Sequence, residues 1–110
     1  MTDKKESTPL TPVEYLAQYS SEAATSFQSL RNAVLNAGPL DIETCELITL
    51  GAFATTGAET SFKTHAKRLL KAGTTIGALR QAVMVTFAAT TTFSSVITAL
   101  HWVDDLRKNK

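Results

Sequence analysis

Residues 57–73 read GAETSFKTHAKRLLKAG, and their apolar spacing is that of a helix with a glycine at either end. Residues three and four apart stack on a helix. Phe62, Ala66 and Leu69 therefore share one face, and that face is the buried one. Lys63, Lys67 and Lys71 recur every four residues on another side and read as a solvated stripe. Ser61 and His65 are also four apart and stack along the inward side, with Ala58 one turn before Ser61. An inward histidine is either a satisfied core residue or a working one, and its neighbours have to decide.

The segment on the N-terminal side supplies the first neighbour. Asp41 is placed to cap a third helix, with Glu43 in the favourable first turn. Ile42, Cys45, Ile48, Leu50, Ala52 and Phe53 give that helix a broad apolar surface. Glu46 falls inside it, and a buried carboxylate needs a partner because burial without one is costly. Gly57 makes the connection to the fourth helix short, so the two helices pack antiparallel and Glu46 and His65 can reach one cleft. A carboxylate beside an imidazole orients the ring and favours its protonated form. That arrangement suits general acid–base chemistry near neutral pH. A purely structural Glu–His hydrogen bond accounts for the same residues.

Further out, the pattern stays helical. Residues 1–10 read as a flexible tail and residues 11–110 as one helical domain. Thr11, Pro12 and Glu14 start a first helix with a capping box. A break at Ser20-Ser21 opens a second, which carries Phe27, Leu30, Val34 and Leu35 at helical spacing, and Gly38-Pro39 stops it. Thr74 or Thr75 caps a fifth, running through Leu79, Val83, Met84 and Phe87. Ser94 or Ser95 opens a sixth, with Val96, Leu100, Val103 and Leu106 inward. No run alternates with period two, so the fold class is all-α with about six helices.

Composition narrows the function classes. The chain of 110 residues has 44% apolar and 19% charged residues and a formal net charge of +1. That balance, with no basic stretch interleaved with aromatics, argues against a nucleic-acid partner. Cys45 is the single cysteine. No disulfide can form within the chain, no Cys/His cluster has zinc spacing, and no metal or cofactor is expected. The opening MTDKKESTPL lacks the apolar core of a signal peptide, which points to a cytoplasmic protein. Residues 81–100 carry no charge, yet ATTTFSS in their middle reads as a polar break between two buried helices rather than as a membrane span. So much uncharged sequence in so short a chain leads us to expect a homo-oligomer.

The text LDIETCELITLGAFATTGAETSFKTHAKRLLKAGTTIGALRQAV resembles the carboxymuconolactone decarboxylase family, whose superfamily includes the alkylhydroperoxidase D type. Leu40, Asp41, Thr44, Glu46, Leu47 and Ile48 match its Leu-Asp-x-x-Thr-x-Glu-Leu-Ile motif. His65, Ala72 and Gly73 match the following helix, with His65 nineteen residues after Glu46. The resemblance implies a helical domain assembled as a trimer or hexamer, with Thr90 to Thr92 in the pocket region. It also implies a proton relay of Glu46 and His65, with Ser61 as a site-lining hydroxyl. In the redox branch two cysteines would stand at Ala58 and Ser61. Neither residue can form a thiolate or a disulfide, so peroxide reduction through that pair is not expected. The lactone decarboxylases usually carry an acid at the Ser61 position and a Gly-x-Pro step where this chain has Thr92-Phe93-Ser94. Three readings follow: acid–base chemistry on a small carboxylated or lactone metabolite, a non-catalytic oligomeric binding or scaffold module, and, disfavoured by the missing cysteines, the thiol peroxidase activity of the redox branch.

Overall fold

Cap geometry sets where each helix begins. A computed structural model of the chain describes residues 10–89 and 91–108. The expected tail up to residue 9, Thr90 and the last two residues lie outside the described set. The helices are α1 (Pro12–Ala17), α2 (Ser21–Leu35), α3 (Ile42–Thr56), α4 (Glu59–Lys71), α5 (Ile76–Met84) and α6 (Phe93–Lys108), with a 3-10 turn at Val85–Ala88. The fold is all-α. Thr11 accepts from the Glu14 amide while the Glu14 carboxylate accepts from the Thr11 amide, the reciprocal capping box. Ser20, Asp41, Thr75 and Thr92 each accept one first-turn amide in the same way.

The chain divides into two compact units, one up to Ala37 and one from Gly38 onward. In the first, α1 and α2 pack on each other and Ala24 is buried. Phe27, Leu30 and Val34 are 45%, 62% and 61% exposed. Their spacing is helical as expected, but among the described residues of the first unit Ala24 alone is buried, so periodicity marks an apolar stripe here without saying what covers it.

The second unit holds the core. α3 and α4 form a hairpin about Gly57, whose left-handed φ of 75° suits glycine and ends α3. α5 and α6 close against that hairpin. Leu50, Phe62, Leu79, Val83 and Val103 are fully buried, and Phe62 meets Trp102 with ring centroids 5.2 Å apart. Gly51 lets α3 approach α5 closely, because a Cβ there would sit 3.1 Å from the Ala82 carbonyl oxygen. Trp102 and Ala99 belong to this core beside Val96 and Leu106.

Three expectations need adjustment. α5 ends at Met84, and the chain tightens to the 3-10 turn where Thr86 Oγ1 donates to the Val83 carbonyl at 2.7 Å. Met84 and Phe87 are consequently half exposed. α6 starts at Phe93 with Thr92 as its cap, rather than at Ser94 or Ser95. Lys63 is half-buried and bridges Glu59 at 2.9 Å and Asp105 at 3.1 Å, so it ties α4 to α6 instead of standing in a solvated stripe. Among the described residues no helix is long and apolar enough to cross a membrane.

Candidate functional site

The α3–α4 hairpin brings its acid and its imidazole together. Glu46 lies on the inward face of α3, one turn before the fully buried Leu50. His65 lies on α4 beside the buried Phe62 and Ala66. Their side chains meet at 2.9 Å, His65 Nδ1 to Glu46 Oε1, and are 12% and 10% exposed. An ionised carboxylate can only accept a hydrogen bond, so with Glu46 ionised this contact favours the neutral tautomer that carries its hydrogen on Nδ1 and its lone pair on Nε2. The Phe53 ring stands 5.1 Å from the imidazole, tilted by 49°, and limits its rotation.

The second carboxylate oxygen faces a cation. Arg68 Nη1 lies 3.8 Å from Glu46 Oε2, too far for a hydrogen bond but close enough for attraction. Arg68 is one turn beyond His65 on α4. Glu46 and Arg68 both line a cleft of about 400 Å³, together with Ile42, Glu43, Leu69 and Thr74. On its other wall the buried Thr74 hydroxyl donates to Glu43 Oε2 at 2.6 Å. Thr74 is thus spent on Glu43, and Thr75 is the cap of α5. Glu46 therefore joins the imidazole to a cleft that contains two carboxylates, one guanidinium and an apolar floor.

The remaining candidates fall elsewhere or do less. Ser61 is half-buried on α4, one turn before His65. Ala58 caps α4 without a side-chain hydrogen bond, at the turn where Gly57 leaves α3. Cys45 is half-buried on α3, with Sγ 3.9 Å from the Leu40 carbonyl oxygen. Of the threonine cluster, Thr92 is used as a cap, and Thr91 Oγ1 is a buried hydroxyl with no partner among the described residues. Thr90 lies outside them. His101 is exposed on α6. Among the described residues no three acids, histidines or cysteines converge as a metal site would need.

Sequence reasoning missed Arg68 and the Glu43–Thr74 pair. Arg68 carried a signal, since it follows His65 by three residues and so shares its face. The Thr74–Glu43 bond had none, because it joins residues 31 positions apart through the packing of α3 against the α4–α5 turn.

A family model described as the carboxymuconolactone decarboxylase family matches residues 21–105, well over half of the chain. No curated protein and no solved structure matches significantly.

Proposed function

Because the chain belongs to the carboxymuconolactone decarboxylase family, we propose that it carries out acid–base chemistry, a decarboxylation or an isomerisation, on a small carboxylated or lactone metabolite. The supporting observation is the 2.9 Å contact between Glu46 and His65, both mostly buried where α3 packs against α4. In this reading Nε2 of His65 exchanges a proton with the carbon next to a carbonyl group. Glu46 keeps Nδ1–H in place and offsets the charge of the imidazolium that forms. In a decarboxylation the electrons of the breaking C–C bond move to that carbonyl as carbon dioxide leaves, and the ring, having first taken a proton from solvent at Nε2, delivers it to the carbon. Ser61 contributes a polar wall one turn away.

The test is proton and carbon chemistry in heavy water. Carboxylated lactones and β-keto acids are incubated with wild type and His65→Ala, and deuterium incorporation and carbon dioxide release are followed by NMR. General acid–base catalysis contributes about 10² to 10⁴ in rate, so the variant should lose that factor while keeping its helicity. Equal rates in both proteins would end the reading. Thiol peroxidase chemistry is not part of it: positions 58 and 61 are alanine and serine, and Cys45 is one thiol per chain. Peroxide consumption with a dithiol reductant should be negligible, and turnover that disappears in Cys45→Ser would reverse that exclusion.

A second reading has its own observation. Phe27, Leu30 and Val34 on α2, and Ile48, Val85 and Phe93 in the second unit, are exposed large apolar side chains. Apolar groups left in water in such numbers favour self-association. We infer a homo-oligomer, a trimer or hexamer, which in the second reading is a non-catalytic binding module. Light scattering at micromolar concentration would show a monomer if this is wrong. In the non-catalytic case Glu46→Gln and His65→Gln would change the melting temperature and nothing else.

A further inference from the structure

The two oxygens of the Glu46 carboxylate face two groups from the same helix. Oε1 lies 2.9 Å from His65 Nδ1, and Oε2 lies 3.8 Å from Arg68 Nη1. His65 and Arg68 are three residues apart on α4, so they stack on one side and reach the same residue of α3. Glu46 and His65 are mostly buried, whereas Arg68 is 58% exposed. The other charged and titratable groups on the packed elements are engaged elsewhere or stand in solvent. On α3, Glu43 accepts from Thr74, and Cys45 Sγ lies 3.9 Å from the Leu40 carbonyl oxygen. Lys63 of α4 bridges Glu59 and Asp105 of α6. Arg80 of α5 pairs with Asp104 of α6 at 3.5 Å. Lys67 and Lys71 on α4, and His101 and Arg107 on α6, are exposed.

A carboxylate alone beside an imidazole favours the protonated ring. A guanidinium on the same carboxylate works against that. With the ring neutral, the charges of Glu46 and Arg68 cancel, and protonating His65 leaves a net positive cluster in a mostly buried place. Without Arg68 the same step would neutralise a negative pair, which is the easier change. We propose that Arg68, acting through Glu46, is a positioning residue that lowers the proton affinity of the His65 ring and keeps Nε2 free to take a proton. The inference rests on the acid–base reading for its use in turnover, and deepens it by naming what sets where the ring titrates. A guanidinium stays charged at every working pH, so its influence is permanent. Solvent around an open cation tempers it.

The test is a pH titration of the imidazole NMR signals of the full chain, in wild type, Arg68→Gln and Arg68→Lys, at low salt. The exposed His101 on α6 is the internal control. Arg68→Gln should raise the pH of half-protonation of His65 by about 0.5. That is less than the change of about 1 to 3 that a close charge can give, because Arg68 stands more than half in solvent. Arg68→Lys keeps the charge and should titrate close to wild type, and His101 should not move in either variant. A purely structural role for Arg68 would move the melting temperature and leave the ring titration alone. A His65 titration unchanged or lowered in Arg68→Gln would overturn the proposal. So would Arg68→Lys shifting the ring as far as Arg68→Gln, or His101 shifting with it. On a substrate that turns over, the limb of the pH–rate profile governed by His65 should move by the same amount as the ring. His65→Ala separates the two claims. Turnover lost in His65→Ala, with a ring titration indifferent to Arg68→Gln, sinks this inference alone. A ring that responds to Arg68→Gln, with turnover unchanged in His65→Ala, sinks the acid–base reading alone.

Discussion

Replacing His65 by alanine should cost stability as well as activity, and the structure sets the amount. The hydrogen bond from Nδ1 to Glu46 engages a charged acceptor in a mostly buried place, and such bonds contribute about 1.5 to 3 kcal/mol. The imidazole also loses its contact with Phe53, worth about 0.5 to 1 kcal/mol more by analogy with aromatic pairs. The looser Arg68 contact with Glu46 at 3.8 Å replaces little of the lost bond. The expected total is about 2 to 4 kcal/mol, and a loss of 2 kcal/mol lowers the melting temperature of a domain this size by about 8 to 16 °C. Alanine removes packing too, so the pairwise part needs a double-mutant cycle with Glu46→Gln. Urea unfolding of the four proteins should give a coupling energy of about 1.5 kcal/mol or more. A coupling below about 0.5 kcal/mol would mean that the contact carries no energy and that the reasoning from geometry is wrong.

Other consequences follow from the same structure. Phe62→Ala empties a fully buried site against Trp102 and should cost about 3 to 5 kcal/mol by denaturant unfolding. The Asp41 carboxyl lies below its ordinary range, chiefly through its side-chain hydrogen bond with Thr44. A lowered carboxyl stabilises above its unfolded value and loses that contribution as pH falls through the folded one. Asp41→Asn should therefore flatten the acid limb of a melting-temperature profile between neutral and acidic pH. Lys63 lies above its ordinary value, with Glu59 the largest cause, despite some loss of hydration. Its contribution is present below the unfolded value and disappears as pH rises through the folded one. Lys63→Met should accordingly lower the melting temperature at neutral pH and reduce its fall in alkali.

The legible parts of this fold were local. The caps at Thr11, Ser20, Asp41 and Thr75 need only a hydroxyl or carboxylate and the amide three residues on, so short-range sequence finds them. The Gly57 break is similar, because a left-handed residue after α3 selects glycine. Glu46 and His65 could be brought together because one short turn joins their helices. What the sequence left open was which apolar faces are covered. Phe27, Leu30 and Val34 have core-like spacing yet are exposed, and Met84 and Phe87 sit where Thr86 tightens the helix. Periodicity reports that a face is apolar; only tertiary packing says whether this chain covers it. Arg68 follows His65 by three residues and shares its face, a signal the reading of the lysine stripe passed over.

The central claim is that Glu46 holds His65 in one tautomer, ready to exchange a proton at Nε2. Imidazole nitrogen NMR measures this directly. The chain has two histidines, and the exposed His101 serves as the internal reference. At a pH where both rings are neutral, His65 should show its hydrogen on Nδ1 and the lone pair on Nε2. Glu46→Gln should weaken or remove that preference and leave His101 unchanged. A His65 ring with its hydrogen on Nε2 in the wild type, or nitrogen shifts that do not respond to Glu46→Gln, would contradict the account.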